Sequence, residues 1–175
     1  MLDHVSAVAP VAIVLGIGVA ACMTRSAHLL VLLGLALGAA LLGALLKGAL
    51  WACVRPCHRR GVCGSCEDPL SRMLSRAVGT NPMLRSGMPS GHALVCATVL
   101  AYVVAWYAAG NTTRSGCASA LVGVAVVLFV ALCAQRVLSG CHSVPQVAVG
   151  TALGVALGLG GYALAHEHLG ARLTV

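Results

Sequence analysis

The feature that most restricts the fold of this chain is a series of long apolar runs. A helix that crosses a bilayer needs about 20 predominantly apolar residues. The sequence predicts five such spans, at residues 5–23, 27–53, 92–109, 118–135 and 144–165. Hydrophobic side chains make up 59% of the 175 residues and charged ones 9%, which excludes a soluble domain. We therefore predict an all-α fold, a polytopic membrane helical bundle of about five transmembrane helices forming a single domain over residues 1–175.

The first span could also be mistaken for a signal peptide. However, Met1 to His4 contain no Lys or Arg, and Asp3 is acidic, whereas signal peptides begin with a positively charged region. We expect a retained helix.

Glycines recur at four-residue spacing in two spans, as Gly34 with Gly38 and as Gly150, Gly154 and Gly158. Small residues on one helix face let helix backbones approach closely in lipid. Both sets predict close helix packing.

The formal net charge is +7, and most of the basic residues lie in a polar loop at residues 55–90. Aromatic residues make up only 3% of the chain and do not alternate with Lys or Arg, so nucleic-acid bases would find no stacking surface. We expect no nucleic-acid partner. Anionic lipid head groups or phosphate esters in the lipid bilayer fit this charge better.

Two groups of polar residues border the spans. Lys47, Arg55 and the segment Pro89–His92 flank the loop after span two, and Arg136 and His142 flank the loop after span four. Two crossings separate the loops, so both emerge on the same membrane face. The two groups can therefore meet.

These groups contain the residue types that bind phosphate. Arg forks and a Lys ammonium are the strongest side-chain partners of a phosphate ester, which makes Lys47, Arg55 and Arg136 candidate ligands. Ser90 and Gly91 precede a helix whose first N–H groups can hold an anion. Together they predict a phosphate site.

Two histidines complete a mechanism of hydrolysis that needs no metal or cofactor. One attacks phosphorus, and the other protonates the departing oxygen and later activates water. His142 is the better nucleophile candidate, because Gln146 follows one helical turn later and its side-chain oxygen could hold one ring N–H. His92 is then the general acid.

The order and spacing of these residues resemble the type 2 phosphatidic acid phosphatase superfamily. Its pattern is Lys, six residues, Arg-Pro; then Pro-Ser-Gly-His; then Ser-Arg, five residues, His, three residues, Asp. The second motif is intact at Pro89–His92, and the third reads Gln135-Arg136, five residues, His142, three residues, Gln146. The first departs from the pattern, because seven residues separate Lys47 from Arg55.

One branch of that superfamily, the dolichyldiphosphatases, is similar at the points of departure. It has Gln-Val after three residues that follow the histidine, as here at Gln146-Val147. It is also similar at Arg55-Pro56-Cys57 and at Gly87–Ser90, where the preceding basic residue matches Arg85. The resemblance implies hydrolysis of a polyprenyl (dolichyl) diphosphate to the monophosphate through a phosphohistidine. It also implies an endoplasmic reticulum membrane protein with a lumenal active site that recycles the lipid carrier of N-glycosylation. Arg85 would contact the second phosphate.

Three other functions stay open. A phosphatidic acid or related lipid phosphate phosphatase would use the same residues, and a catalytically silent membrane scaffold would keep the fold alone. A metal-binding module is the third, because the polar loop begins with a cluster of thiols and an imidazole: Cys53, Cys57, His58, Cys63 and Cys66. Only one Cys-x-x-Cys is present, whereas structural zinc sites usually pair two. In an oxidising lumen a disulfide between two of these cysteines is the expected alternative.

The charge distribution does not fix the orientation. Eight Lys and Arg residues lie on the face of the phosphate site and three on the other, which favours a cytoplasmic site. When the Lys and Arg residues assigned to phosphate binding are left out, the numbers on the two faces no longer favour either orientation. Asn111-Thr112-Thr113, a glycosylation acceptor by pattern, lies on the opposite face. It should stay unmodified if the site is lumenal.

Overall fold

The computed structural model describes residues 2–24, 26–53, 88–110 and 116–169, and this part of the chain is helical. The five helices are α1 (Leu2–Thr24), α2 (Ala27–Cys53), α3 (Gly91–Ala108), α4 (Gly116–Leu138) and α5 (Val144–Leu169). Each coincides with one predicted span, and α2 does so residue for residue. The all-helical fold class is confirmed.

The outer surface of the bundle is hydrocarbon. Within the described residues α2, α3, α4 and α5 are long and apolar enough to cross a bilayer, and the described apolar part of α1, Ala9–Thr24, is shorter. Large side chains such as Leu45, Val127 and Leu138 are 62%, 66% and 87% exposed. A soluble monomer rarely exposes so much apolar surface, so the chain is a multi-pass membrane protein.

The closest helix pair is α3 with α5, and three glycines explain it. A Cβ built on Gly150 would lie 2.6 Å from the carbonyl oxygen of Ser90. One built on Gly154 would collide with the oxygen of Leu94, and one on Gly158 with that of Thr98. Only hydrogen at these positions permits this approach, so the predicted packing of this set is confirmed.

The same prediction is wrong for Gly34 and Gly38. Both are exposed, and a Cβ on either would meet nothing within 4 Å. Spacing alone does not reveal which face of an apolar helix meets protein and which meets lipid.

The two ends of the bundle differ in character. At one end, which we call the site end, α2 and α4 finish and α3 and α5 begin. At the opposite end aromatic rings join α2, α3 and α5: His28 Nδ1 lies 2.9 Å from Tyr102 Oη, and the Tyr102 and Tyr162 rings meet edge to face at 5.7 Å. These contacts fix the opposite end, while the glycines hold α3 and α5 together along their length.

Candidate active site

The second and third motifs meet at the site end through a backbone hydrogen bond. The Ser90 N–H donates to the carbonyl oxygen of Gln146 at 3.1 Å. The His142 N–H donates to the carbonyl oxygen of Arg136 at 3.0 Å, which folds the α4–α5 connection back onto the end of α4. The structure therefore brings together residues that lie two spans apart in the sequence.

The side chains at this junction are polar and buried. The exposed fractions are 0% for Ser90, 3% for His92, 2% for Arg136, 7% for His142 and 5% for Gln146. Ionisable groups are rarely buried in a membrane protein unless they face a functional site or the bundle interior. Their common location makes this junction the candidate active site.

Lys47 reaches the same place from α2. A Cβ built on Gly91 would lie 3.7 Å from Lys47 Nζ, which places the ammonium beside the first residue of α3. The departure of the first motif from the family spacing therefore does not keep Lys47 from the start of α3. Helix α2 continues as far as Cys53, so Lys47 projects from its last two turns toward the start of α3.

The start of α3 adds backbone donors. Ser90 is the N-cap residue with extended backbone (φ −67°, ψ 112°), and its hydroxyl makes no capping hydrogen bond. The first N–H groups of a helix have no partner within the helix, and the helix dipole makes this end positive. Lys47 and the buried Arg136 add positive charge to these N–H donors at the site end, and basic side chains with helix N–H groups are the combination that binds phosphate.

Negative charge lies elsewhere among the described side chains. Their one carboxylate, that of Glu167, is on α5 near the opposite end of the bundle, 21 residues or about 30 Å of helix beyond Gln146. Among the described side chains, positive charge therefore lies at the site end and the carboxylate near the opposite end.

Gln146 has a role that the sequence analysis did not predict. Its Oε1 accepts the backbone N–H of Ser143 at 2.9 Å. Ser143 is the residue before α5 and Gln146 is the third residue within it, so this is the reciprocal half of a capping box. The spacing Ser-x-x-Gln is the sequence pattern typical of such a capping box. We expected this oxygen to hold the His142 ring, and that contact stays a prediction.

Cys141, which directly precedes His142, was missed as well. It is disulfide-bonded, and Ser139 Oγ lies 3.3 Å from its sulfur. The expectation of a disulfide confined to Cys53, Cys57, Cys63 and Cys66 therefore left out the cysteine next to the proposed nucleophile. The described free cysteines are Cys22, Cys96, Cys117 and Cys133.

Several predicted residues fall outside the described part of the chain. These are Arg55, Arg85, the cysteine and histidine cluster from Cys57 to Cys66, and most of the polar loop at residues 55–90. Within the described residues, no three His, Cys, Asp or Glu side chains converge as metal ligands would.

The fold and the site define the class of this protein: a multi-pass helical membrane protein with two buried histidines and an arginine gathered at one membrane face. The sequence matches the PAP2 superfamily over residues 27–169, which includes every helix that contributes to the site. The chain belongs to the PAP2 superfamily. Membership implies a phosphatase that acts on lipid phosphates. No significant match was found among curated proteins or among solved structures.

Proposed function

We propose that this protein removes the terminal phosphate of a polyprenyl diphosphate, such as dolichyl diphosphate, and leaves the monophosphate. One observation carries the proposal: Lys47, the start of α3, Arg136 and His142 come together at one end of the bundle, where Ser90 N–H bonds to Gln146 O. A site of this kind matches a lipid whose charged group lies at the membrane surface and whose chain stays in the bilayer.

The reaction has two steps. In the first, an imidazole nitrogen of His142 attacks the terminal phosphorus, and a P–N bond forms as the bond from phosphorus to the bridging oxygen breaks. His92 donates a proton to that oxygen, and the polyprenyl monophosphate leaves. In the second, His92 takes a proton from water, whose oxygen attacks phosphorus, and inorganic phosphate leaves as the P–N bond breaks.

The positive groups stabilise the charge that develops on the transferred phosphoryl group. Lys47, Arg136 and the first N–H groups of α3 take this role, and Arg55 joins them by its place in the family pattern. Ser90 and Gly91 form the turn that directs those N–H groups toward the phosphoryl group. The proposed reaction uses no metal or other cofactor.

The preference for a diphosphate rests on sequence. Gln146-Val147 and Arg85 match the dolichyldiphosphatase branch, and we propose that Arg85 binds the second phosphate. Phosphatidate is the second candidate substrate, because the described site contains nothing that rejects a monoester. The presence of both histidines and Arg136 at the junction argues against a silent scaffold.

We propose that the site faces the lumen of the endoplasmic reticulum, where the monophosphate returns to the carrier cycle of protein glycosylation. The disulfide at Cys141 supports this orientation, since disulfides persist in oxidising compartments. Asn111, on the other face, should then stay unglycosylated. A glycan on Asn111 would reverse the orientation.

The test is hydrolysis by the purified protein of polyprenyl diphosphate and phosphatidate, side by side, with a chelator present. We expect faster release of phosphate from the diphosphate and an acid-labile phosphoenzyme. His142→Ala should abolish both, while His166→Ala, near the far end of α5, should retain both. Equal or greater activity on phosphatidate would move the assignment to the second candidate. Loss of activity with the chelator would contradict the mechanism.

A further inference from the structure

A cavity of about 610 Å³ opens between α1, α3 and α4. We call it the side groove. Apolar side chains form nearly all of its wall, among them Ile13 of α1, Val99 of α3, and Leu128 and Phe129 of α4, and Gln135 is the polar residue that lines it. The helices that form it are apolar enough to cross a bilayer, so this apolar space suits hydrocarbon rather than water.

The side groove begins beside the active site. Gln135 is the neighbour of Arg136 in α4, and the lining residue Cys96 lies one helical turn beyond His92 in α3. From that level the lining continues to Val103 and to Ala125, about 10 to 15 Å along the two helices toward the middle of the membrane. It therefore leads from the site end into the bilayer core.

We propose that the side groove holds the first isoprene units of the polyprenyl chain while the diphosphate occupies the active site. The proposal rests on the function proposed above and extends it to the chain of the substrate. Head group and chain are covalently joined, so a chain bound beside the phosphate site has to leave it within the membrane. The volume is in the range of pockets that enclose a small ligand, which suits the first part of a long chain.

The side groove affects the position of the diphosphate in the active site more than the affinity for the lipid. Lipid tails are as apolar as the groove, so the hydrophobic effect does not drive the chain from one to the other. Packing against fixed helices instead sets the direction from which the diphosphate meets His142. Small displacements of a reacting group cost up to about 100-fold in rate, so long-chain substrates should depend on the groove and very short ones should not.

Ala125→Phe would fill the groove, and the matched control is Val124→Phe. Val124 is the next residue in α4, is 55% exposed and does not line the cavity. The measurement is kcat/KM for a long-chain polyprenyl diphosphate divided by kcat/KM for methyl diphosphate, which has no isoprene unit to place in the groove. We expect Ala125→Phe to lower this ratio about tenfold and Val124→Phe to leave it unchanged. An equal ratio in both variants would mean that bulk lipid fills the groove, and would overturn the proposal.

A second measurement needs no substituted chain. A polyprenyl diphosphate with a photoactivatable group near its head should label α4 at Phe129 or Leu132 in the wild-type protein. Adducts confined to α2 or α5 would contradict the proposal that the chain lies in the side groove. Wild-type protein that hydrolyses no polyprenyl diphosphate would overturn the proposed function itself, whereas hydrolysis that does not depend on the groove would overturn this inference alone.

Discussion

At the scale of single residues, Lys47 places a positive charge beside the start of a helix. It is the one lysine of the chain, and its ammonium lies beside the first residue of α3. A cation at the positive end of a helix dipole is unfavourable by itself. A phosphate at the same point attracts both, so Lys47 and the helix start reinforce each other once substrate is bound.

We expect Lys47→Met to raise KM for the lipid diphosphate about 10- to 100-fold, the range set by a hydrogen bond to a charged group. Steady-state hydrolysis in mixed micelles measures it. Lys47→Arg keeps the charge and should recover part of the loss. An unchanged KM in the methionine variant would remove Lys47 from the phosphate site.

Gln146 combines a structural bond with a proposed catalytic influence. Its oxygen caps α5 through the Ser143 N–H, and a neutral amide cannot offset the positive charge that develops on His142. Gln146→Glu keeps the reach to Ser143 and adds a negative charge, which should stabilise the imidazolium. We expect faster phosphoenzyme formation in this variant, measured by rapid quench.

The matched variant for the cap is Gln146→Ala. It removes the bond to Ser143 and should destabilise the protein by about 1 kcal/mol, the usual value of a helix cap. If Gln146→Glu forms the phosphoenzyme no faster than the wild type, then the charge at this position does not influence His142.

At the scale of helices, the contact between α3 and α5 is the one most sensitive to added volume. Gly158→Ala would place a methyl group against the Thr98 carbonyl oxygen, whereas a Cβ on Gly160, in the same turn of α5, meets nothing within 4 Å. We expect Gly158→Ala to cost about 1–3 kcal/mol, as overpacking does, and Gly160→Ala to cost much less. Thermal unfolding in the same detergent compares them, and equal midpoints would contradict the packing.

The sequence predicted where the helices lie and which of their ends meet, but not which face of each helix packs against protein. Long apolar runs are unambiguous, and two crossings between the loops were enough to place His92 and Arg136 on one side. The spans are apolar all round, however, so no amphipathic stripe indicated that Gly150 faces a helix while Gly34 faces lipid. The Gln146 cap could have been predicted from the sequence, because Ser143 stands three residues before Gln146. The disulfide at Cys141 could not, because the spacing of cysteines does not reveal which loops meet.

At the scale of the whole molecule, the disulfide at Cys141 predicts the redox state of the site end. Denatured protein alkylated first without reductant and again after reduction, with isotopically distinct reagents, should carry the second label at Cys141. Cys96 and Cys117 are free and should carry the first label, which provides an internal control. First-label modification of Cys141 in protein isolated from membranes would contradict the oxidising environment and weaken the lumenal orientation.

The backbone bond from Ser90 to Gln146 and the glycines behind it have a consequence for how such a protein can diverge. These features fix the main-chain positions near His92 and His142, which substitutions on the lipid-facing surface do not alter. Adaptation to membranes of other thickness or sterol content can proceed through the outward-facing leucines and valines of α2 and α4, while the chemistry stays as it was.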